Sequence, residues 1–203
     1  MYIPEYFKME TDFIYKCIEE NPFSLLVSEI QGNLSATHIP LLLSKDKQSL
    51  IGHFAKPNPQ KESLGKEVLC IFSGPHCYIS PSWYETDRAV PTWNFTAVHV
   101  KGILNIVEDP NLIHDSLLTL VNRFESKDSS YKMDHVDTKY IEGLKKGIVP
   151  FEIRITSIEG KAKLSQNHSE ERKKKVISEL ELLPGENEKA IAKLMKDELT
   201  KGS

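Results

Sequence analysis

This 203-residue sequence predicts a mainly β fold with helices added to it, and three observations point that way. From Phe23 to Pro81, short apolar runs alternate with turn residues, as in FSLLVSEI-QGN and EVLCIFS-GPH. A longer stretch of the same character, TWNFTAVHVKGILNIVE, follows Pro91, and PFEIRITSIEGKAKL returns to it later in the chain. Helical spacing is found only outside these runs. Bursts of Val, Ile, Leu and Phe between Gly, Pro, Asn and Asp suit antiparallel strands joined by tight turns, because branched and aromatic side chains pack well on a pleated surface. About six strands followed by helices suggest a small Greek-key or split β-barrel, in which the curled sheet buries its own edges.

The elements follow in order. Pro4 opens an extended arm, and Thr11 is expected to cap a short helix in which Phe13/Cys17 and Ile14/Ile18 pair at i, i+4. Strands are then expected in FSLLVSEI, LSATHIPLLLS, SLIGHFAK, EVLCIFS and CYIS, with GPH as a turn between the last two. After Asp109-Pro110 the spacing of Leu112, Leu117, Leu120, Val121 and Phe124 is helical, with proline at the helix start. Asp137 to Lys146 predicts a second short helix ending at Gly147. The next strand should bury Phe151, Ile153, Ile155 and Ile158. From His168 the chain is charged and helical, broken at Pro184-Gly185. Residues 1–167 are therefore expected to form the barrel with inserted helices, and 168–203 a helical extension packed on it.

Composition narrows the function. Lys+Arg is 26 against Asp+Glu 29, a formal charge of −3, so the chain does not carry the positive coat of a general nucleic-acid binder. No apolar run approaches the roughly 20 residues of a bilayer span, no secretion signal is expected from MYIPEYFKME, and Cys17, Cys70 and Cys77 form no CxxC pair. A cytoplasmic protein with reduced thiols and no membrane partner is expected. Four of the histidines, His38, His53, His76 and His99, fall in separate predicted strands or turns without an HExxH-type pair, so no metal site is expected. No GxSxG, Walker A or GxGxxG motif is present.

Four segments could carry chemistry. In LSATHIP, Ala36 and His38 share one strand face and Thr37 the other, and small Ala36 would let a flat ligand reach the backbone. In GHFAKPN, a ring N–H donor (His53), a cation (Lys56) and an amide (Asn58) gather at a strand end, as a phosphate monoester requires. Strict alternation would put His53 and Lys56 on opposite faces, so convergence requires the strand to stop before Pro57. In the aromatic stretch, Trp83, Tyr84 and Trp93 are either core residues or stacking platforms. In GKAKLSQN, Lys161 and Lys163 point the same way on a strand, an anion clamp or simply a solvated end. Arg172 to Lys175 reads as a solvated helix face, because acids flank it and the tail from His168 carries eight charges of each sign.

Taken together, MYIPEYF, LSATHIPLLL, GHFAKPNPQ, GPHCYISPSWY, VPTWNF…VHVKG and GKAKLSQN, in this order from Met1 to about Leu180, strongly resemble the PaiB family of FMN-binding negative transcriptional regulators. The resemblance implies a homodimeric split barrel related to flavin reductases and pyridoxamine-phosphate oxidases, with FMN in a cleft between subunits. Ala36, Thr37 and His38 would border the flavin ring, and His53, Lys56 and Asn58 would face its phosphate. Trp93 and Asn94, from the same subunit or its partner, would cover the site, and Lys161, Lys163, Ser165, Gln166 and Asn167 would close it. Where the family commonly carries Arg-Ala, this chain has Lys56-Pro57. Lysine still neutralises a phosphate but lacks the bidentate fork. The implied function is negative transcriptional regulation, with DNA as a partner on the family's account alone. The alternatives are an FMN-dependent oxidoreductase using NAD(P)H or a small substrate, and a haem-binding split barrel.

Overall fold

Gln31 and Gly32 make the first hairpin. Both have positive φ, 51° and 81°, the pairing a two-residue type I′ turn needs. The turn joins β1 (Phe23–Ile30) to β2 (Asn33–Pro40) in an antiparallel register running from Ile30↔Asn33 to Phe23↔Pro40. The computed structural model describes residues 1–84, 88–107, 110–126, 128–131, 136, 143 and 146–201. The remaining strands are β3 (Leu42–Leu43), β4 (Ser49–Ala55), β5 (Glu67–Ile79), β6 (Thr92–Ile106) and β7 (Ile148–Lys163). All seven belong to one sheet in the order β2-β1-β5-β6-β7-β4-β3, and β1 with β5, β3 with β4 and β4 with β7 are likewise antiparallel. The helices are α1 (Thr11–Glu20), α2 (Pro110–Phe124), α3 (Glu170–Leu182) and α4 (Glu186–Lys201). The mainly β class with added helices is thus the observed one.

Several boundaries differ from the sequence expectation. Thr11 is the first residue of α1 rather than its cap; Glu10 stands at the N-cap without a side-chain capping bond. GPH does not turn the chain, because β5 continues through it. Gly74 is there for close approach: a Cβ would lie 2.1 Å from Thr96 Oγ1. LSATHIPLLLS breaks at Leu41, whose N–H donates to Pro22 O at 2.8 Å, leaving β3 as a separate short strand. Ile155 and Ile158 are only half-buried, unlike Phe151 and Ile153, and Phe124 is exposed. The helix expected over Asp137 to Lys146 lies outside the described residues, apart from 143 and 146.

By internal packing the chain divides into two units. The first comprises Met1–Asn21, Phe72–His99 and Glu159–Ser203; the second comprises Pro22–Ile71 and Val100–Ile158. In the first unit, Ile18, Ile79, Val98, Leu164, Val176 and Leu180 are buried. In the second, Leu26, Leu41, Leu50, Phe54, Leu104, Phe151 and Ile153 are buried, and the Phe54 and Phe151 rings pack at 4.3 Å. Each such side chain contributes about 1.5–3 kcal/mol by leaving water.

Helices α3 and α4 stop and restart at Pro184-Gly185 as the sequence suggests. Ser169 caps α3 by accepting from the Arg172 N–H at 3.3 Å. The basic run is laced by Glu170–Lys174 and Glu171–Lys175 pairs at i, i+4. All three cysteines are free and buried. Burial pushes Cys17 up to about 11 and Cys70 to about 12. Burial, with a smaller contribution from Glu188, brings Cys77 to about 12. Among the described residues no helix is long and apolar enough to cross a membrane.

Candidate functional site

The second unit holds the first group of candidate residues. On β2, Ala36 and His38 are exposed while Thr37 is half-buried, as strand alternation requires. His38 stacks on Phe23 with ring centres 5.8 Å apart. Strand β4 ends at Ala55, so the chain leaves strand geometry before Pro57. His53 is half-buried and lies opposite Pro150 of β7, and burial holds its pKa below the usual histidine range. Lys56 is exposed; its N–H donates to Gly147 O at 2.8 Å, and its carbonyl accepts from Lys61 Nζ at 2.8 Å.

Asn58 ties these segments together. Its Oδ1 accepts from the Gln60 N–H at 2.9 Å, capping the short Pro59–Ser63 turn, and its Nδ2 donates to Thr37 Oγ1 at 3.2 Å. Gln60, not singled out from the sequence, is the anchor of that turn. It is fully buried, and its Nε2 lies within bonding distance of Leu26 O (3.2 Å), Ser28 Oγ (3.0 Å) and Ser35 O (3.2 Å). The legible signal was local: Asn before Pro is a helix-start pattern. That the next glutamine would be buried against β1 and β2 was not written in it.

The first unit holds the second group. Asn94 on β6 is fully buried. Its Nδ2 donates to Ser165 Oγ at 3.0 Å and approaches Met195 Sδ at 3.4 Å. Ser165, also buried, has φ 64°, a left-handed conformation that turns the chain as it leaves β7. Gln166 secures that turn from its own side chain: Oε1 accepts from the Leu164 N–H at 2.7 Å and Nε2 donates to Ala162 O at 2.6 Å. Asn167 is exposed.

The two lysines of this group rest on neutral oxygens. Lys161 Nζ donates to Tyr2 O at 3.2 Å and sits over the Phe95 ring at 5.4 Å. Lys163 Nζ donates to Thr92 Oγ1 and, at 2.8 Å, to Trp93 O. Burial, then the charge of Lys161, lowers the Lys163 pKa from the usual lysine range. Trp93 is 53% exposed, with Tyr78 edge-on at 6.3 Å and His76 at 6.2 Å, so it is a surface platform rather than core. Tyr84 lies under the Arg172 guanidinium at 4.9 Å and beside His168 at 5.6 Å. Arg172 thus has a role that its charge run did not reveal. Among the described residues no three His, Cys, Asp or Glu side chains gather as metal ligands.

Comparison with known proteins gives this arrangement a context. Residues 1–157 match the family described as "Putative FMN-binding domain". The Bacillus subtilis protein "Protease synthase and sporulation protein PAI 2" is 39% identical over 206 residues, covering 99% of each chain. An Emericella nidulans protein of uncharacterised role is 28% identical over 233 residues, 93% of each chain. Among solved structures, a flavocytochrome of Azotobacter vinelandii superposes with a TM-score of 0.61 at 13% identity, over 79% of this chain and 72% of that one. A FAD- and haem-binding protein of Mycobacterium smegmatis gives 0.58 at 11% identity, over 76% and 71%. At such identity these two speak for the fold alone, and that fold is the split barrel.

Proposed function

Because this chain belongs to the PaiB family of FMN-binding-domain proteins, with FMN as the family's cofactor, we propose that it acts as a homodimeric negative regulator of transcription whose FMN site lies at the subunit interface. The match to PAI 2 along 99% of both chains carries this reading. That relative is named for protease synthesis and sporulation, which are processes rather than a reaction. With eight charges of each sign in the tail from His168, direct contact with DNA would have to come from elsewhere than a basic arm.

The donors present suit the cofactor. At the end of β4, Lys56 offers an exposed ammonium, and Asn58 an amide fixed by the Pro59–Ser63 turn; His53 adds a half-buried ring nitrogen whose pKa burial lowers. These three would hold the FMN phosphate. Exposed Ala36 and His38, with Thr37 braced from behind by Asn58, would border the flavin ring. Trp93, Lys161, Lys163 and Asn167, which belong to the other unit, are the residues that the family resemblance assigns to covering and closing the flavin. Asn94, Ser165 and Gln166 spend their polar atoms on one another or on the backbone, so their role would be structural rather than contact with the flavin. FMN supplies redox chemistry when bound. At about 0.3 kcal/mol for each of roughly 30 heavy atoms, binding should reach about 9 kcal/mol, sub-micromolar.

Native mass spectrometry of the purified protein tests the central part: a dimer of the 23.1 kDa chain carrying one FMN per subunit is expected. A monomer, or a dimer that takes up no flavin on titration, would sink it. Selection of genomic fragments at low salt should enrich discrete sequences, and an absence of enrichment would remove direct DNA contact. Rapid anaerobic bleaching of the flavin by NADH or NADPH would favour an oxidoreductase instead.

A further inference from the structure

Strand β1, in the second unit, turns its apolar side the wrong way for a strand with one face in water. Its core side takes Ser24, Leu26 and Ser28, all buried, and its outward side takes Phe23, Leu25 and Val27. The two serines are held inside by hydrogen bonds: Ser24 Oγ donates to Ile39 O at 2.9 Å, and Gln60 Nε2 donates to Ser28 Oγ at 3.0 Å. An antiparallel strand with one solvated face ordinarily points its apolar side chains inward and its polar ones outward.

The register carries this pattern onto both neighbours. Leu25 lies opposite Ile71 and Val27 opposite Leu69 on β5, and Glu29 lies opposite Leu34 on β2. Directly opposed residues share a face, so Phe23, Leu25, Val27, Leu34, Leu69 and Ile71 form one apolar surface across three strands. Phe23 is 65% and Leu34 83% exposed, and the other four are half-buried. Contiguous apolar surface left in water marks an interaction site.

Charge and dimensions select the occupant. The titratable side chains at these strand positions are Glu29, Glu67 and His38, with no lysine or arginine, so a nucleic acid or an anionic membrane does not suit the face. Strand spacing of about 4.8 Å and a rise of about 3.4 Å per residue make it about 15 by 20 Å, broader than the about 10–12 Å of a single helix. A flat surface of that breadth is matched by another sheet, packed on it at about 10 Å. Exposed Ala36 and His38 lie on the same face, opposite Val27 and Leu25. They are the residues given above to the flavin ring, and an open face would leave one side of that ring in water.

Resting on the homodimeric flavin reading above, we propose that the outward face of β1, β2 and β5 is where a second copy of the chain docks. The same patch serves both copies, as a two-fold axis requires. It supplies the apolar centre of the roughly 800 Å² that each partner of a stable dimer hides.

Sedimentation equilibrium of the full-length protein tests this. Wild type should be a dimer. Leu34→Asp and Phe23→Ser, each entering the interface twice by symmetry, should raise the dimer dissociation constant at least about thirtyfold. Leu182→Asp, at a leucine 80% exposed on α3 of the other unit, should leave it within about threefold. Circular dichroism establishes that each variant folds, and Phe23→Ser stands in if Leu34→Asp does not. A photo-crosslinker, p-benzoylphenylalanine, placed at Leu34 in cells should give a product of twice the chain mass. A wild-type monomer would remove the homodimeric reading and this face with it. A wild-type dimer that persists unweakened in folded Leu34→Asp or Phe23→Ser, or that Leu182→Asp weakens as much, would overturn the docking face and leave dimerisation standing on another surface. A crosslink to a different protein, or within one chain, would overturn the face likewise.

Discussion

The two candidate groups are built from the same materials, an amide, a hydroxyl and a lysine, yet they spend them differently. In the second unit, Asn58 and Thr37 bond at a half-buried surface and Lys56 stays in water; the buried work is done by Gln60, which pins the 59–63 turn to β1 and β2. In the first unit, the amide and hydroxyl are themselves buried, Asn94 against Ser165, and the lysine is drawn partly out of water. One region thus separates structural from ligand-facing polar groups, while the other fuses them. Substitutions should affect stability and binding separately in the second unit and together in the first.

The largest break is expected from Gln60→Leu, which withdraws the amide from two carbonyls and a hydroxyl in a dry setting. It should cost about 3 kcal/mol in urea unfolding, since each stranded buried group costs about 1–3 kcal/mol. A loss below about 1 kcal/mol would mean that water replaces the amide. Asn94→Ala should follow at about 2 kcal/mol, with strong coupling to Ser165→Ala in a double-mutant cycle. Additive effects there would show that the bond carries no stability of its own.

A smaller, pH-dependent difference comes from histidine. His53 in the second unit is held below its ordinary pKa by burial. His99 in the first is lowered by burial and then by the N-terminal amine, against an opposing pull from Glu159. In both cases the unfolded chain takes up the proton first. The stability they contribute is therefore present above the unfolded value near 6.5 and declines as pH falls through it toward the lower folded values. His53→Gln and His99→Gln should each make the acid limb of the stability curve shallower; an unchanged slope in either would show that the ring is solvated. The smallest effect on stability is expected for Lys56→Ala, because its side chain is in water. Its thermal midpoint should match wild type while FMN affinity drops about tenfold, and equal FMN affinity would move the phosphate elsewhere.

Sequence alone reached the mainly β class, α2 starting at Pro110, the helix break at Pro184-Gly185 and the i, i+4 pairs of α3. Each is set by residues a few positions apart, where propensity, turn chemistry and period act directly. It also picked out Asn58, Asn94 and Ser165, because together with their neighbours they resemble a family. Only the tertiary structure decided what those polar groups do. Asn94 and Ser165 are 71 positions apart, Gln60 and Leu26 are 34 apart, and Gly74 stands in a strand where Thr96 of another leaves no room for a Cβ. Burial is conferred by whatever packs opposite, and neither local period nor composition encodes that partner.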